Sequence, residues 1–87
     1  MKQPLGTYLK NKRENAGLSQ KDVADHLGLS SPQYISNFER GVCGPSLETV
    51  KELCSIYKIN KREIVDIMIE DYRTLVESKV LSKRKAR

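Results

Sequence analysis

Uncharged hydrogen-bonding side chains and apolar side chains fall on opposite sides of a short segment in the middle of the chain. At about 100° per residue, helical spacing groups the polar residues Gln33, Ser36, Asn37 and Arg40. The opposite side groups Tyr34, Ile35 and Phe38. Amide, hydroxyl and guanidinium groups read base edges and bind phosphate in nucleic-acid complexes. The polar face is therefore a candidate for nucleic-acid recognition, and the apolar face requires a core.

Within the polar face, Gln33 and Asn37 are the strongest candidates for contacts with bases. An amide side chain can form two hydrogen bonds with N6 and N7 of adenine, and residues four apart on a helix point the same way. Ser31 and Ser36 flank this pair. Their hydroxyls either contact bases and phosphates or only cap the helix and meet water.

Phosphate contacts are predicted around the same helix. Arg40 lies at the far end of the helix from the entering turn, so its guanidinium suits phosphate better than a base. Tyr34 lies at the boundary of the two faces, where its hydroxyl reaches phosphate or its ring belongs to the core. Lys21 and Lys51 are further candidates, although exposed lysines usually meet only solvent.

Length and charge indicate the class of protein. The 87 residues suffice for one small domain, and 16 Lys and Arg against 11 Asp and Glu give a net charge of +5. A basic chain favours an anionic partner without identifying it. The sequence contains neither a signal-peptide pattern nor the ~20 consecutive apolar residues of a membrane span. We therefore expect a cytoplasmic protein that does not enter membranes.

Catalytic and metal-binding chemistry is not indicated. Cys43 and Cys54, with His26 as their one possible companion, match no zinc spacing. His26 lies near Asp22 and Asp25 but has no recognisable nucleophile or phosphate loop to act on. We expect no enzyme, no cofactor and no metal. Cys54 falls on a core position, and the Cys43 thiol is either reactive or simply a small loop residue.

Capping residues and apolar spacing predict an all-α domain of five helices, spanning about residues 4–16, 20–27, 32–40, 47–57 and 61 onwards. Ser19 followed by Asp22, and Asn60 followed by Glu63, have the spacing of capping boxes. Gly28 suits an abrupt exit from the second helix. The predicted core includes Leu5, Tyr8, Leu9, Val23, Ala24, Leu27, Leu47, Val50, Leu53, Cys54 and Tyr57.

The fifth helix carries more apolar surface than a small domain can cover. Its apolar residues fall within an arc of roughly 160° and comprise Ile64, Val65, Met68, Ile69, Tyr72, Leu75, Val76 and Val80. We predict that a second copy covers the distal part, through Ile69, Tyr72, Leu75, Val76 and Val80. The alternative is that this part folds back or frays. Residues 82–87, SKRKAR, form a predicted flexible basic tail.

Five segments together resemble the helix-turn-helix family of the lambdoid phage repressors and Cro, also called the XRE family. The segments are Arg13, LSQKDVADHLG, IS.FERG, PSLETV and IN.REIV, spread over residues 5–68. The resemblance implies a lambda-repressor-like domain whose second motif helix enters the major groove of DNA. It also implies that Gln20 donates to a backbone phosphate and that Arg13 and Glu39 form a structural ion pair.

Three features depart from the usual family pattern. The segment LSSPQY is one residue longer than expected before the recognition helix, so either the turn is lengthened or the helix starts earlier. The loop after FERG contains Val42, Cys43 and Gly44 in place of lysine or arginine. The last helix continues beyond Met68, which agrees with a dimer interface at that end.

The combined pattern predicts a homodimeric regulator of transcription, most simply a repressor, on an approximately palindromic double-stranded DNA site. The expected organisation is a DNA-binding domain in residues 1–70, a dimerising extension in 71–81 and the basic tail in 82–87. The alternative is an antitoxin-like interaction module whose last helix holds a protein partner, with DNA binding for autoregulation. The same fold is also compatible with activation of transcription, through a surface that contacts polymerase. RNA binding is disfavoured, because RNA bases stack on aromatic side chains and the chain has only one Phe and four Tyr.

Overall fold

Five α-helices make up the part of the chain that the structure, a computed structural model, describes, residues 4–81. They are α1 (Leu5–Asn15), α2 (Gln20–Leu27), α3 (Gln33–Arg40), α4 (Leu47–Tyr57) and α5 (Lys61–Val80). The absence of strands in these residues confirms the all-α prediction. The basic tail lies outside the described residues. Every helix within 4–81 is too short or too polar to cross a lipid bilayer.

Local capping chemistry defines the ends of α2. The Ser19 hydroxyl accepts the Asp22 backbone N–H at 3.0 Å, and the Asp22 carboxylate accepts the Ser19 backbone N–H at 2.9 Å. This is the predicted capping box. At the other end Gly28 has φ 71°, a left-handed conformation that glycine adopts without steric cost. Short-range signals therefore suffice to place α2.

The start of α5 has only half of the expected capping box. The Asn60 side chain accepts the Glu63 backbone N–H at 3.1 Å. The Glu63 carboxylate does not return to Asn60, because it accepts the Tyr8 hydroxyl at 2.7 Å and lies 3.6 Å from Lys12 Nζ. Glu63 therefore connects α5 to α1. A second connection follows two turns later, where Asp71 accepts the Leu5 backbone N–H at 3.0 Å.

The core lies between all five helices, and its buried hydrophobic residues are Tyr8, Leu9, Val23, Ala24, Ile35, Val50, Leu53, Cys54, Tyr57, Ile59 and Ile64. The prediction of Leu47 as a core residue is wrong, because its side chain is 75% exposed. Leu47 is the first residue of α4. A helical side chain leans towards the N-terminus, so at this position it lies beyond the packed turns.

Gly6 allows α1 and α3 to approach each other closely. A Cβ atom at this position would lie 2.5 Å from the backbone oxygen of Glu39 and 2.8 Å from that of Phe38. Both distances are shorter than van der Waals contact. The end of α3 is therefore positioned directly against the backbone of α1.

Two carboxylates make the stability of the domain sensitive to acid. A backbone hydrogen bond from Ser19 lowers the pKa of Asp22, and the hydrogen bond from Tyr8 lowers the pKa of Glu63. A carboxyl whose pKa is lowered by folding stabilises the native state above its unfolded pKa, and this contribution is lost as the pH falls through the folded pKa. We expect the free energy of unfolding to fall steadily below about pH 4. Urea titrations at several pH values should show a flatter profile for Asp22→Asn and Glu63→Gln.

Glu52→Gln is the matched control, because Glu52 is exposed on α4. Its pH profile should overlay that of the wild type. An unchanged slope in Asp22→Asn and Glu63→Gln would show that these two hydrogen bonds do not cause the acid sensitivity.

Candidate nucleic-acid interface

The helix α3 is anchored on one side and open on the other. Ile35 is buried in the core and Phe38 packs against it, so the opposite side of the helix faces outwards. Gln33 and Arg40 are exposed there, with Ser36 and Asn37 half-buried between them. The predicted polar face is thus a real surface of the folded chain.

The four polar residues of α3 form one hydrogen-bonded network, the α3 ladder (Gln33, Ser36, Asn37 and Arg40). Gln33 Nε2 donates to Asn37 Oδ1 at 3.0 Å, and Arg40 Nη2 donates to the same oxygen at 2.8 Å. Arg40 Nε donates to Ser36 Oγ at 3.1 Å. These contacts orient the side chains before any ligand arrives, so less side-chain conformational entropy is lost on binding.

The ladder leaves particular groups free for a partner. The Asn37 carbonyl oxygen already accepts two hydrogen bonds, so Asn37 retains its amide N–H groups as donors for a partner. Gln33 retains its carbonyl oxygen and one amide N–H. An acceptor and a donor on one amide are what adenine N6 and N7 require. Gln33 is therefore prepared for a two-bond contact with adenine, and Asn37 for donation to a base acceptor.

Ser31 acts at the start of α3. Its hydroxyl oxygen accepts the Gln33 backbone N–H at 3.0 Å, which caps the helix. Since α3 begins at Gln33, residues 28–32 connect the two motif helices and the extra residue of LSSPQY lies in this turn. Of the two interpretations of Ser31 from sequence, the structure provides the contact for capping.

Of the two interpretations of Tyr34 from sequence, the structure does not support the one that places its ring in the core. The side chain is 47% exposed. One residue before buried Ile35, it is rotated by about 100° away from the core. It lines a shallow depression with Ser30, Ser31, Gln33 and Asn37. Its hydroxyl is therefore available to a ligand that covers the start of α3.

A buried ion pair holds α3 against α1. Arg13 Nε lies 2.7 Å from Glu39 Oε2, and Arg13 Nη2 donates to Glu39 Oε1 at 3.2 Å. The two side chains are 9% and 4% exposed. Arg13 Nη1 also donates to the Leu18 carbonyl at 2.7 Å. The hydrogen bond with Glu39 raises the pKa of Arg13, which keeps the guanidinium charged despite its burial.

Gln20 joins the same cluster, a contact that the sequence did not indicate. Its Nε2 donates to Glu39 Oε1 at 3.0 Å, so one acid of α3 binds α1 and the first residue of α2. The predicted donation from Gln20 to phosphate must then use the second N–H of the same amide. This arrangement links the N-terminus of α2 to the position of α3.

Both lysines predicted to contact phosphate have carboxylates nearby. Lys21 Nζ lies 3.2 Å from Asp25 Oδ2 along α2. Lys51 shares a surface depression with Glu48 and Glu52 on α4. Nearby carboxylates offset part of each positive charge, so both residues are weaker candidates for phosphate than Arg40.

Among residues 4–81, no cluster of three or more His, Cys, Asp or Glu side chains has the arrangement of a metal site. Cys43 is exposed and Cys54 is buried, and both are free thiols. Burial raises the pKa of the Cys54 thiol. The Cys54 thiol is therefore the less reactive of the two.

One side of α5 carries exposed apolar side chains along most of the helix. The exposed residues, called the α5 stripe here, are Val65, Ile69, Tyr72, Leu75, Val76 and Val80. They include every residue predicted to dimerise. The proposed boundary between residues 70 and 71 falls inside α5, which continues through it as one helix.

Comparison with known proteins agrees with this geometry. A family model described as helix-turn-helix matches residues 9–64. The chain is 40% identical over 58 residues to the HTH-type transcriptional regulator DdrOP3 of Deinococcus deserti. The aligned segment covers 67% of this chain and 44% of that protein. It is 31% identical over 79 residues to the cryptic phage CTXphi transcriptional repressor RstR of Vibrio cholerae, covering 91% and 67%.

A third relative is the HTH-type transcriptional regulator ImmR of Bacillus subtilis, 34% identical over 56 residues, or 64% of this chain and 43% of ImmR. The matched segment thus spans less than half of DdrOP3 and of ImmR. No solved structure matches the chain significantly. The match to the family model includes α2, α3 and the Arg13–Glu39 ion pair between α1 and α3. The chain therefore belongs to the helix-turn-helix family, as its resemblance to the phage repressors predicted.

Proposed function

We propose that the chain is a sequence-specific regulator of transcription that binds double-stranded DNA through α3. The observation that carries this proposal is the α3 ladder, a preorganised set of amide and guanidinium groups on an exposed helix face. Amide and guanidinium groups are the side-chain groups that read base edges and bind phosphate. The buried Arg13–Glu39 pair holds this face in one orientation.

In the proposed complex the N-terminal half of α3 enters the major groove. Gln33 pairs with adenine, Asn37 donates to a neighbouring base acceptor, and Arg40 and Tyr34 contact the phosphates on either side. The N-terminus of α2, with its free backbone N–H groups and the second N–H of Gln20, binds another phosphate. The phosphate contacts set the register of the helix, and the amides choose the sequence.

The proposed active form is a homodimer joined through the α5 stripe. Contiguous apolar surface on a helix is costly in water, and a second copy of the same helix removes it from solvent. Two α3 helices related by two-fold symmetry would read half-sites about 34 Å apart, one turn of DNA. Such a dimer represses transcription by covering a promoter. RstR, a relative along 91% of this chain, is named a transcriptional repressor.

The proposal is tested by selection from a random duplex library. We expect an enriched site with two-fold symmetry and adenine at one or more positions of each half-site. The double variant Gln33→Ala/Asn37→Ala should enrich no common sequence. Asn15→Ala is the matched control, because Asn15 is exposed at the end of α1, beside the C-terminal ends of α2 and α4, and should select the wild-type site.

The exposed α5 stripe also favours a second function, an antitoxin-like module that binds another protein. The mass of the purified chain separates the two. A dimer that stays folded alone supports the regulator. A monomer whose last helix is cut readily by protease, together with a library that enriches nothing, supports the protein partner.

A further inference from the structure

An apolar groove lies between the start of α1, the end of α3 and the middle of α5. Its walls include Leu5 and Gly6 from α1, Phe38 at the end of α3, and Met68 from α5. The loop that follows α3 contributes Gly41, Cys43, Gly44 and Pro45. Tyr72 and Leu75 belong both to this groove and to the α5 stripe. The groove and the stripe are therefore one continuous apolar surface.

The α5 stripe is too small to form a stable dimer by itself. Interfaces of standard size bury about 800 Å² and use about 20–30 residues from each partner. The stripe contains six exposed residues on one helix. A dimer built on it must extend to the adjoining surface, and the groove is the apolar surface that adjoins it.

The charges on α5 favour a second copy as the occupant. At about 100° per residue, Lys79 falls inside the arc of the stripe, among apolar neighbours. Asp71 lies in the groove wall, where one carboxylate oxygen accepts the Leu5 N–H. Asp71 and Lys79 are equally distant from Leu75. In an antiparallel pair of α5 helices with its two-fold axis at Leu75, residue 79 of each helix therefore lies opposite residue 71 of the other, which brings Lys79 of one copy to Asp71 of the second.

We infer that the groove receives α5 of a second copy, packed antiparallel across Leu75. This rests on the proposed homodimer and specifies its interface. The partner helix then contacts Phe38 and Gly41, which lie at the end of the DNA-reading helix. Dimer formation consequently sets the position of each α3 directly, and the interface is not confined to the C-terminal end of α5.

Arginine substitutions in the loop after α3 test this interface. A Cβ atom added at Gly44 would have no atom within 4 Å, and Gly44 has no left-handed φ. Because Gly44 lines the open groove, we expect Gly44→Arg to fold normally and to place a charge there. Val42→Arg is the matched control, because Val42 is exposed on the same loop but does not line the groove. The monomer–dimer equilibrium of each purified protein is measured by sedimentation without DNA.

We expect Gly44→Arg to raise the dimer dissociation constant at least tenfold and Val42→Arg to change it less than twofold. Lys79→Glu should raise it at least threefold. In the wild type, alkylation of Cys43 should slow at least fivefold once the protein is dimeric. Cys54, which is buried, provides an unreactive internal standard.

The outcomes separate the groove from the dimer itself. Suppose that the wild type dimerises, that Gly44→Arg has the same dimer dissociation constant, and that Cys43 is alkylated equally fast in monomer and dimer. The groove is then not the interface, but the proposed regulator is unaffected. A dimer dissociation constant that is unchanged in Lys79→Glu overturns the antiparallel pairing of Lys79 with Asp71. A wild type that stays monomeric with and without its selected DNA overturns the homodimer and the groove together.

Discussion

Replacement of Glu39 by alanine is expected to lower the free energy of unfolding by about 3–5 kcal/mol, the usual cost of breaking a buried ion pair. Glu39 accepts hydrogen bonds from both Arg13 and Gln20. Its removal leaves the Arg13 guanidinium buried without its counter-charge, and one bond to the Leu18 carbonyl cannot compensate for that. The total free energy of unfolding of a small domain is only about 5–15 kcal/mol, so this loss removes a large part of it.

Urea denaturation followed by circular dichroism measures this effect. Glu14→Ala is the matched control, since Glu14 lies 3.9 Å from Arg13 but its side chain is 54% exposed, and it should change stability by less than about 0.5 kcal/mol. The double variant Arg13→Ala/Glu39→Ala should lose less than the sum of the single variants, because no charge is left unpaired. A loss below about 1 kcal/mol in Glu39→Ala would contradict the structural role given to the pair. Where the variant is still folded, its preferred DNA sequence should be unchanged.

Alanine at position 6 is expected to destabilise the domain by about 1–3 kcal/mol, the usual cost of overpacking. The new Cβ meets the backbone oxygens of Glu39 and Phe38 at 2.5 and 2.8 Å, and backbone atoms cannot rotate away as side chains do. The helix α1 must therefore move away from α3. In an unobstructed helix the same substitution would stabilise by roughly 0.5–1 kcal/mol, so the sign of the effect reports the close approach.

Gly44→Ala is the control for Gly6→Ala. It adds the same methyl group where nothing lies within 4 Å. Thermal unfolding should show a lower midpoint for Gly6→Ala and a midpoint near the wild type for Gly44→Ala. A Gly6→Ala variant as stable as the wild type would mean that α1 and α3 do not pack as closely as the structure has them.

Features that depend on near neighbours in the chain were predictable. Ser19 and Asp22 cap α2 because residues three apart meet at a helix start, and Gly28 ends that helix because it accepts a positive φ. The spacing of Ile35 and Phe38 gave α3 its buried side. These rules use only the geometry of one helix, which sequence spacing contains.

Features that depend on distant neighbours were not predictable in the same way. Nothing adjacent to Gly6 shows that the end of α3 lies against it. Glu63 has the spacing of a capping residue, yet Tyr8, 55 positions earlier, takes its carboxylate. Leu47 has a core spacing, but helical periodicity does not tell where the neighbouring helices end.

The candidate site shows the same division. Helical spacing alone brought Gln33, Ser36, Asn37 and Arg40 to one surface. It did not show that they bond to one another, nor which atoms of each amide those bonds leave free. The contact between Gln20 and Glu39 depends on the placement of two helices and likewise needed the fold.

The central claim is that the amides of α3 read DNA sequence. Its most direct test is the affinity of the selected duplex for the wild type, Gln33→Ala, Asn37→Ala and the control Asn15→Ala over a series of salt concentrations. We predict that each of the two α3 variants loses about 1–3 kcal/mol on the selected site, that neither loses affinity for random DNA, and that the salt dependence is unchanged. Equal affinities for all four proteins, with binding that weakens steeply in salt, would show backbone attraction alone and contradict the claim.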